Sequence, residues 1–135
     1  MGVLIEMIVN KNMRILVVDD VQMMRRIIVN LLKQLGFCNI TEASDGRIAL
    51  EKIKTDEIAL VICDWNMPKM TGIEFLRKLR SDNKYKTLPF IMATAESKKE
   101  NIIAAAHADV SQYIVKPFNG ETLKNKLIEV LGDFD

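Results

Sequence analysis

The sequence Leu60-Val61-Ile62-Cys63-Asp64-Trp65-Asn66-Met67-Pro68 carries the clearest information about the fold. Its first four residues are apolar at successive positions, which is typical of a strand covered on both faces of a sheet. Pro68 disfavours a helical conformation at the residue before it, so we expect Asp64 to project from the carboxyl end of this strand into a loop. Ligands bind at that edge of an open α/β sheet. Asp64 is therefore a candidate functional residue, although an aspartate after a strand is more often a turn cap.

Length and composition predict one domain and exclude several classes of protein. The chain has 135 residues, enough to bury a core without disulfides or a structural metal. Its 19 basic and 18 acidic residues give a net charge of +1, so it lacks the basic footprint of a nucleic-acid-binding protein. It has neither a membrane-spanning apolar run nor a signal-peptide pattern. Cys38 and Cys63 stand in apolar contexts without metal-ligand spacing, which predicts buried, reduced thiols and a cytoplasmic protein.

Apolar runs that end at a polar residue recur along the chain. They predict strands at 15–18, 40–43, 60–63, 88–93 and 113–115. Segments with helical periodicity follow them, the fourth at about 98–108. The first predicted helix has an apolar face made of Val21, Met24, Ile27, Ile28, Leu31, Leu32 and Leu35.

Five strands that alternate with five helices predict an α/β fold in three layers. The sheet should be parallel, because parallel neighbours need crossover connections of the length that these helices supply. Residues 1–12 are predicted to be an N-terminal extension, either a frayed arm or a segment upstream of the point where the domain begins. Residues 13–135 are predicted to form a single domain.

The carboxyl ends of parallel strands meet at one edge of a sheet, so the polar residues that follow the predicted strands should converge. These residues are Asp19, Asp20, Asp64, Thr94 and Lys116. Clustered carboxylates need a counter-charge or stay partly protonated, and an oxygen-rich site of this kind suits Mg²⁺. The compact ammonium of Lys116 suits a phosphoryl group. The set indicates phosphoryl transfer, with Asp64 as the candidate nucleophile of an aspartyl phosphate.

Each of these residues also has a structural interpretation. The aspartate pair could cap a helix, Thr94 could belong to an ordinary turn, and a Lys-Pro pair is common at surface bends. The joint occurrence of all of them at strand ends favours the functional interpretation.

Several motifs resemble those of the receiver domain of two-component response regulators, in particular the stand-alone chemotaxis regulators. The resemblance extends from about Arg14 to the C-terminus. The motifs are Val18-Asp19-Asp20, Met24-Arg25-Arg26, the stretch 64–68 with Met70 and Gly72, Thr94-Ala95-Glu96, the stretch 98–106, and Tyr113 with Lys116-Pro117-Phe118.

The resemblance implies a flavodoxin-like (βα)5 sandwich with the strand order 2-1-3-4-5, which the sequence pattern alone does not provide. It implies that Asp64 is the phosphoacceptor and that Lys116 pairs with the phosphoryl oxygens. It also implies a cis peptide bond between Lys116 and Pro117. The implied Mg²⁺ site is formed by Asp19, Asp20, Asp64 and the backbone carbonyl of Asn66, with Asp19 acting through water.

The resemblance further implies a switch surface formed by the fourth helix, the fifth strand and the fifth helix. Its residues are Thr94, Tyr113, Lys98, Lys99, Ile102, Ala106 and Lys126. The implied partners are a chemotaxis histidine kinase, the flagellar motor switch and a phosphatase, and the protein would be a monomer. It would not be a classical enzyme. It would catalyse at most its own phosphorylation by small acyl phosphates and its own dephosphorylation.

Some residues depart from the chemotaxis pattern near the acids and on the output side. They are Val21, Gln22, Met23, Asp109, Gln112 and Glu129. The last three favour a second hypothesis, a phosphate sink or regulator with a different partner. A phosphatase of the haloacid dehalogenase type and a flavin carrier of the flavodoxin type are further alternatives. The adjacent Asp19-Asp20 pair argues against both, because the former uses a DxD pair and paired acids repel a flavin phosphate.

Overall fold

The computed structural model describes residues 10–95, 99–132 and 134, although not the side chains of residues 99 and 100. Within these residues it has five strands and five helices. The strands are β1 (Ile15–Val18), β2 (Ile40–Ala43), β3 (Leu60–Asp64), β4 (Phe90–Thr94) and β5 (Gln112–Val115). The helices are α1 (Gln22–Gln34), α2 (Gly46–Thr55), α3 (Gly72–Arg80), α4 (Lys99–His107) and α5 (Gly120–Leu131).

The five strands form one sheet in the order β2-β1-β3-β4-β5, and every neighbouring pair is parallel. The predicted α/β fold and the strand order implied by the resemblance are therefore confirmed. The cis peptide bond between Lys116 and Pro117 is also confirmed. Most of the predicted extension 1–12, as well as Lys98 and the side chain of Lys99, lies outside the described residues.

The sheet separates two apolar clusters, because successive residues of a strand point to opposite faces. Ile15 and Val17 of β1 pack in the cluster that contains the buried residues of α1 and α5. Leu16 and Val18 pack in the other cluster, with buried residues of α2 and α3. All four residues of β1 are fully buried, which explains why this strand is apolar throughout.

Several local predictions are wrong. Ile27 and Val21, predicted to face inward, are 43% and 49% exposed, whereas Val29 is buried. The reason is that α1 contacts the core through Ile28, Val29 and Leu32, a stripe narrower than the apolar face of its sequence. Cys63 is buried as predicted, but Cys38 is exposed, because it lies in the loop between α1 and β2.

Some strand and helix ends differ from prediction by one or two residues. Pro89 precedes β4 and accepts a hydrogen bond from the Val61 N–H through its carbonyl, at 3.0 Å. Asp64 is the last residue of β3, in register with Ala93 of β4. Within the described part of the chain, no helix is long and apolar enough to cross a membrane.

Candidate functional site

Three carboxylates meet at the carboxyl edge of the sheet. Val18 pairs with Cys63 in the register of β1 and β3, so the residues after them, Asp19 and Asp64, emerge side by side. Asp19, Asp20 and Asp64 each offer a carboxylate oxygen, and these oxygens lie within 4.8 Å of one another. The structure therefore brings together acids that are up to 45 positions apart in the sequence (64 − 19).

Lys116 supplies the positive charge that this cluster needs. Its Nζ lies 2.6 Å from Asp64 Oδ1 and 3.0 Å from Asp19 Oδ2. Because β4 lies between β3 and β5, the Lys116 side chain extends across the end of β4 to reach the acids. The Lys116 N–H donates to the carbonyl of Thr94 at 2.7 Å, and this bond holds the main chain of Lys116 beside the end of β4. The expected convergence of Lys116 with the acids is observed.

Burial and neighbouring charges change the pKa values of Asp64 and Lys116. Asp19 and Asp64 are 1% and 9% exposed, whereas Asp20 is open to solvent. Burial raises the pKa of the Asp64 carboxyl, an effect that Lys116 opposes and that Asp19 and Asp20 reinforce. Burial alone would lower the pKa of Lys116, but its hydrogen bonds and ion pairs with Asp64 and Asp19 raise it overall. Lys116 therefore remains a cation, and the site holds more negative than positive charge.

Backbone hydrogen bonds hold the loop after Asp64 against the sheet. The Trp65 N–H donates to the Ala93 carbonyl at 2.9 Å, and the Gly72 N–H donates to the Trp65 carbonyl at 2.9 Å. A Cβ atom on Gly72 would lie only 2.2 Å from the Asp64 carbonyl oxygen, so no other residue fits there without movement. Asn66 lies in this loop and is exposed, two residues after Asp64.

The chemistry of the donor set fits a hard divalent cation. Carboxylate oxygens from Asp19, Asp20 and Asp64 are the ligands that Mg²⁺ prefers, and the exposure of Asp20 leaves room for the waters that this ion retains. The same residues could hold the cation beside a phosphoryl group, which Lys116 would contact from the other side.

Three of the predicted switch residues, Thr94, Ile102 and Tyr113, line one small cavity next to β4. Thr94 ends this strand and is 5% exposed, and Tyr113 of β5 is half-buried. The cavity is lined by Trp65, Met92, Thr94, Asn101, Ile102, Ala105 and Tyr113. The Nζ of Lys126 lies 5.0 Å from the centroid of the Tyr113 ring. Ala106 is exposed on α4 and is not among the lining residues.

Two contacts near these residues were missed by the sequence reasoning. Arg25 Nη1 donates to the Asp19 carbonyl at 2.7 Å, although the sequence identified Arg25 only as part of a motif. Gln112 Nε2 donates to Glu129 Oε2 and so connects β5 to α5. Both contacts join residues of different elements through long side chains, for which the periodicity of the sequence carries no signal.

Known proteins are similar to this chain in fold and, over most of its length, in sequence. The sequence profile of the response regulator receiver domain matches residues 15–128. The chain is 54% identical over 125 residues to the chemotaxis protein CheY-3 of Vibrio cholerae, an alignment that covers 93% of this chain and 96% of that protein. It is 50% identical to the chemotaxis protein CheY of Pseudomonas aeruginosa, over 87% of this chain and 95% of that protein.

A solved structure shows the same likeness in three dimensions. The chemotaxis response regulator CheY4 of Vibrio cholerae superimposes with a TM-score of 0.82 at 36% identity, covering 89% of this chain and 99% of that one. The matched profile includes every strand and the residues of the acidic cluster with Lys116. This chain belongs to the response regulator receiver domain family.

Proposed function

We propose that this protein is a chemotaxis response regulator of the CheY type, which a chemotaxis histidine kinase phosphorylates on Asp64. The observation that carries the proposal is the double ion pair of Lys116 with Asp19 and Asp64, beside the exposed Asp20. The 54% identity to a chemotaxis protein over nearly the whole chain supports the same function. Residues 13–135 would form the receiver domain, residues 1–12 would lie outside it, and the protein would act in the cytoplasm as a monomer.

The proposed reaction uses residues that lie together at the carboxyl edge of the sheet. A carboxylate oxygen of Asp64 attacks the phosphorus of a phosphohistidine, the N–P bond breaks, and its electron pair remains on the imidazole nitrogen. Lys116, now paired with Asp64, would shift its ammonium to a phosphoryl oxygen and neutralise charge there. Thr94 would offer its hydroxyl at the same edge of the sheet.

Asp19, Asp20, Asp64 and the backbone carbonyl of Asn66 would hold Mg²⁺. The bound ion would neutralise charge on the transferring phosphoryl group. Asp19 is largely enclosed and Asp20 is open, so Asp20 is the residue through which the ion would meet solvent.

The phosphoryl group would act on a surface of α4, β5 and α5. Thr94 and Tyr113 line one cavity with Ile102, so a shift of Thr94 toward a phosphoryl group opens space for the Tyr113 ring. The added charge of about −1.5 to −2 biases this two-state surface. The contact residues would be Lys98, Lys99, Ile102, Ala106, Tyr113 and Lys126, and the partner would be the flagellar motor switch, with a phosphatase to end the signal.

One observation favours a second function, a phosphate sink or regulator of a non-motor partner. Glu129 and Gln112 are joined by a hydrogen bond on the β5–α5 side of the molecule, where the chemotaxis pattern has a basic residue and a glycine. A carboxylate at that position repels an acidic partner or weakens its binding. The phosphorylation chemistry is the same in both functions.

The phosphorylation proposal can be tested with Trp65, which adjoins Asp64 and is the only tryptophan. Mg²⁺ should change the fluorescence of Trp65, and a small acyl phosphate added afterwards should increase the protein mass by one phosphoryl group. Asp64→Asn should abolish the mass increase. No mass increase in the wild-type protein would refute the proposal, and steady turnover of diverse phosphate esters would favour a phosphatase instead.

The partner can be tested separately. The affinity for a peptide of the flagellar motor switch should increase on phosphorylation if the motor is the partner. An unchanged affinity would favour the sink or the non-motor regulator.

A further inference from the structure

We infer that Arg25 is a positioning residue for the acidic site, which fixes the main chain of Asp19 so that Asp19 and Asp20 face Asp64. The inference rests on the proposed function, because it concerns the affinity of that same site for Mg²⁺. Arg25 touches none of the reacting atoms and acts through the residues that do.

The guanidinium of Arg25 joins two parts of the structure. Nη1 donates to the main-chain carbonyl of Asp19 at 2.7 Å, and Nε donates to Glu42 Oε1 at 3.2 Å. The side chain of Arg25 is 15% exposed, while that of Glu42 is 45% exposed. A planar guanidinium can hold two acceptors in one fixed arrangement, which an ammonium cannot do. Arg25 therefore fixes Asp19 relative to β2.

Four contacts hold Asp19 in the turn after β1. The Asp19 N–H donates to the Ala43 carbonyl of β2 at 3.2 Å, and Asp19 Oδ1 accepts from the Val21 N–H at 2.9 Å. Asp19 Oδ2 pairs with Lys116, and Arg25 holds the main-chain carbonyl.

The carbonyl that Arg25 holds belongs to the peptide unit that leads into Asp20. Its orientation therefore affects the direction in which the exposed Asp20 side chain leaves the main chain. Loss of Arg25 would release this peptide unit while leaving the other three contacts of Asp19 intact.

Removal of Arg25 should have two opposite effects on the affinity for Mg²⁺, one from its charge and one from its positioning of Asp19. This opposition makes the inference testable. A nearby cation repels Mg²⁺, so removal of the Arg25 charge alone should strengthen Mg²⁺ binding. Release of the Asp19 peptide unit should weaken Mg²⁺ binding, because it spreads the carboxylates over many geometries. Residues that orient metal ligands typically contribute about 10-fold to 100-fold in metal affinity. Positioning should therefore dominate.

The experiment measures the Kd for Mg²⁺ from Trp65 fluorescence in four proteins: wild type, Arg25→Met, Arg25→Lys and Arg26→Met. We expect Arg25→Met to raise the Kd about tenfold. Arg25→Lys retains the charge but replaces the rigid guanidinium fork with a single flexible ammonium, so its Kd should also rise. Arg26→Met is the matched control, because Arg26 is the exposed neighbour on the same helix and loses the same charge. Its Kd should stay the same or fall slightly.

Each outcome decides between the two explanations. A Kd for Arg25→Met that equals or lies below the wild-type value would overturn the inference, as would a wild-type Kd for Arg25→Lys. Circular dichroism checks the fold of each variant, and if Arg25→Met does not fold, Arg25→Lys alone decides. A wild-type protein that binds no Mg²⁺ would refute the proposed function, which is a different result from a wild-type protein that binds and an Arg25 variant that binds equally well.

Discussion

The acidic edge and the output face of this molecule are built in different ways. The acidic edge consists of Asp19, Asp20, Asp64 and Lys116, at the carboxyl ends of the strands. The output face consists of Gln112, Tyr113, Lys126 and Glu129, on β5 and α5. At the acidic edge, Asp19 and Asp64 are buried, and their positions follow from the register of neighbouring parallel strands. On the output face, the contacts are side-chain pairs, Gln112 with Glu129 and Lys126 with Tyr113.

In the proposed function, the acidic edge carries the chemistry and the output face selects the partner. The backbone topology brings the acids and Lys116 to one edge of the sheet, where ion pairs and hydrogen bonds hold their side chains. Side chains on the output face are partly or fully exposed, so we expect substitutions there to leave the sheet intact. We therefore expect substitutions at the acidic edge to alter stability strongly and substitutions on the output face to alter binding.

The largest effect is expected at Lys116. Lys116→Met removes the cation that pairs with Asp19 and Asp64 and should lower the free energy of unfolding by about 2 kcal/mol without Mg²⁺. Mg²⁺ should stabilise this variant more than the wild type, because the ion no longer competes with an ammonium. Urea unfolding with and without Mg²⁺ measures both quantities. Equal stability of the two proteins without Mg²⁺ would show that Lys116 is not the counter-charge.

Asp64→Asn is the matched comparison at the same site and should have the opposite sign. The raised pKa of Asp64 means that its ionisation destabilises the fold as the pH rises through that pKa. The stability that the neutral form provides at low pH is therefore lost as the pH rises. Asparagine avoids this loss, so the variant should be more stable than the wild type at pH 7 without Mg²⁺. A lower free energy of unfolding at that pH would contradict the electrostatic account of the site.

The next effect is expected on binding, at Glu129. Glu129→Lys replaces the anion on the output face with a cation and should strengthen binding of the phosphorylated protein to an acidic motor-switch peptide by about 3-fold to 10-fold, mainly through a faster association rate. Stopped-flow measurements at low and high salt give the association rate and show how much salt reduces it.

Glu121→Lys is the control for this substitution, since it makes the same charge change on α5 two turns away, near the start of the helix. It should change the association rate less. Equal gains from both variants would mean that only the net charge matters and not the output face.

The smallest effect is expected for the contact between Lys126 and Tyr113. A double-mutant cycle with Lys126→Met and Tyr113→Leu should give a coupling free energy of about 0.5 kcal/mol in urea unfolding, the size of an exposed cation–π contact. The cycle contains its own controls, because each single variant reports the loss of the side chain alone. A coupling near zero would show that Lys126 does not hold the Tyr113 ring.

The sequence predicts the acidic edge well for a physical reason. Buried parallel strands are apolar at successive positions, so a polar residue such as Asp64 or Asp19 marks a strand end, and strand ends share one edge. The strand order and the role of Tyr113 come from the family resemblance, because periodicity does not say which strands are neighbours.

The failed predictions share another cause. Ile27 and Cys38 are apolar or weakly polar residues whose exposure depends on how far the neighbouring helices and loops extend over them. Arg25 and Gln112 use long side chains to reach other elements, and many such contacts are possible for one sequence. The periodicity of a sequence shows which face of its own helix or strand a residue lies on. It does not predict which residues of other elements that residue contacts.

The most direct test of the central claim is a crystal structure of the protein with Mg²⁺ and a beryllium fluoride mimic of aspartyl phosphate. The claim is that Asp19, Asp20 and Asp64 hold the ion beside an acyl phosphate at Asp64. We predict the mimic on an Asp64 carboxylate oxygen, the ammonium of Lys116 on the mimic, and Mg²⁺ about 2.0–2.1 Å from oxygens of Asp64, Asp20 and the Asn66 carbonyl. A mimic bound elsewhere, or an ion without contact to these acids, would contradict the claim.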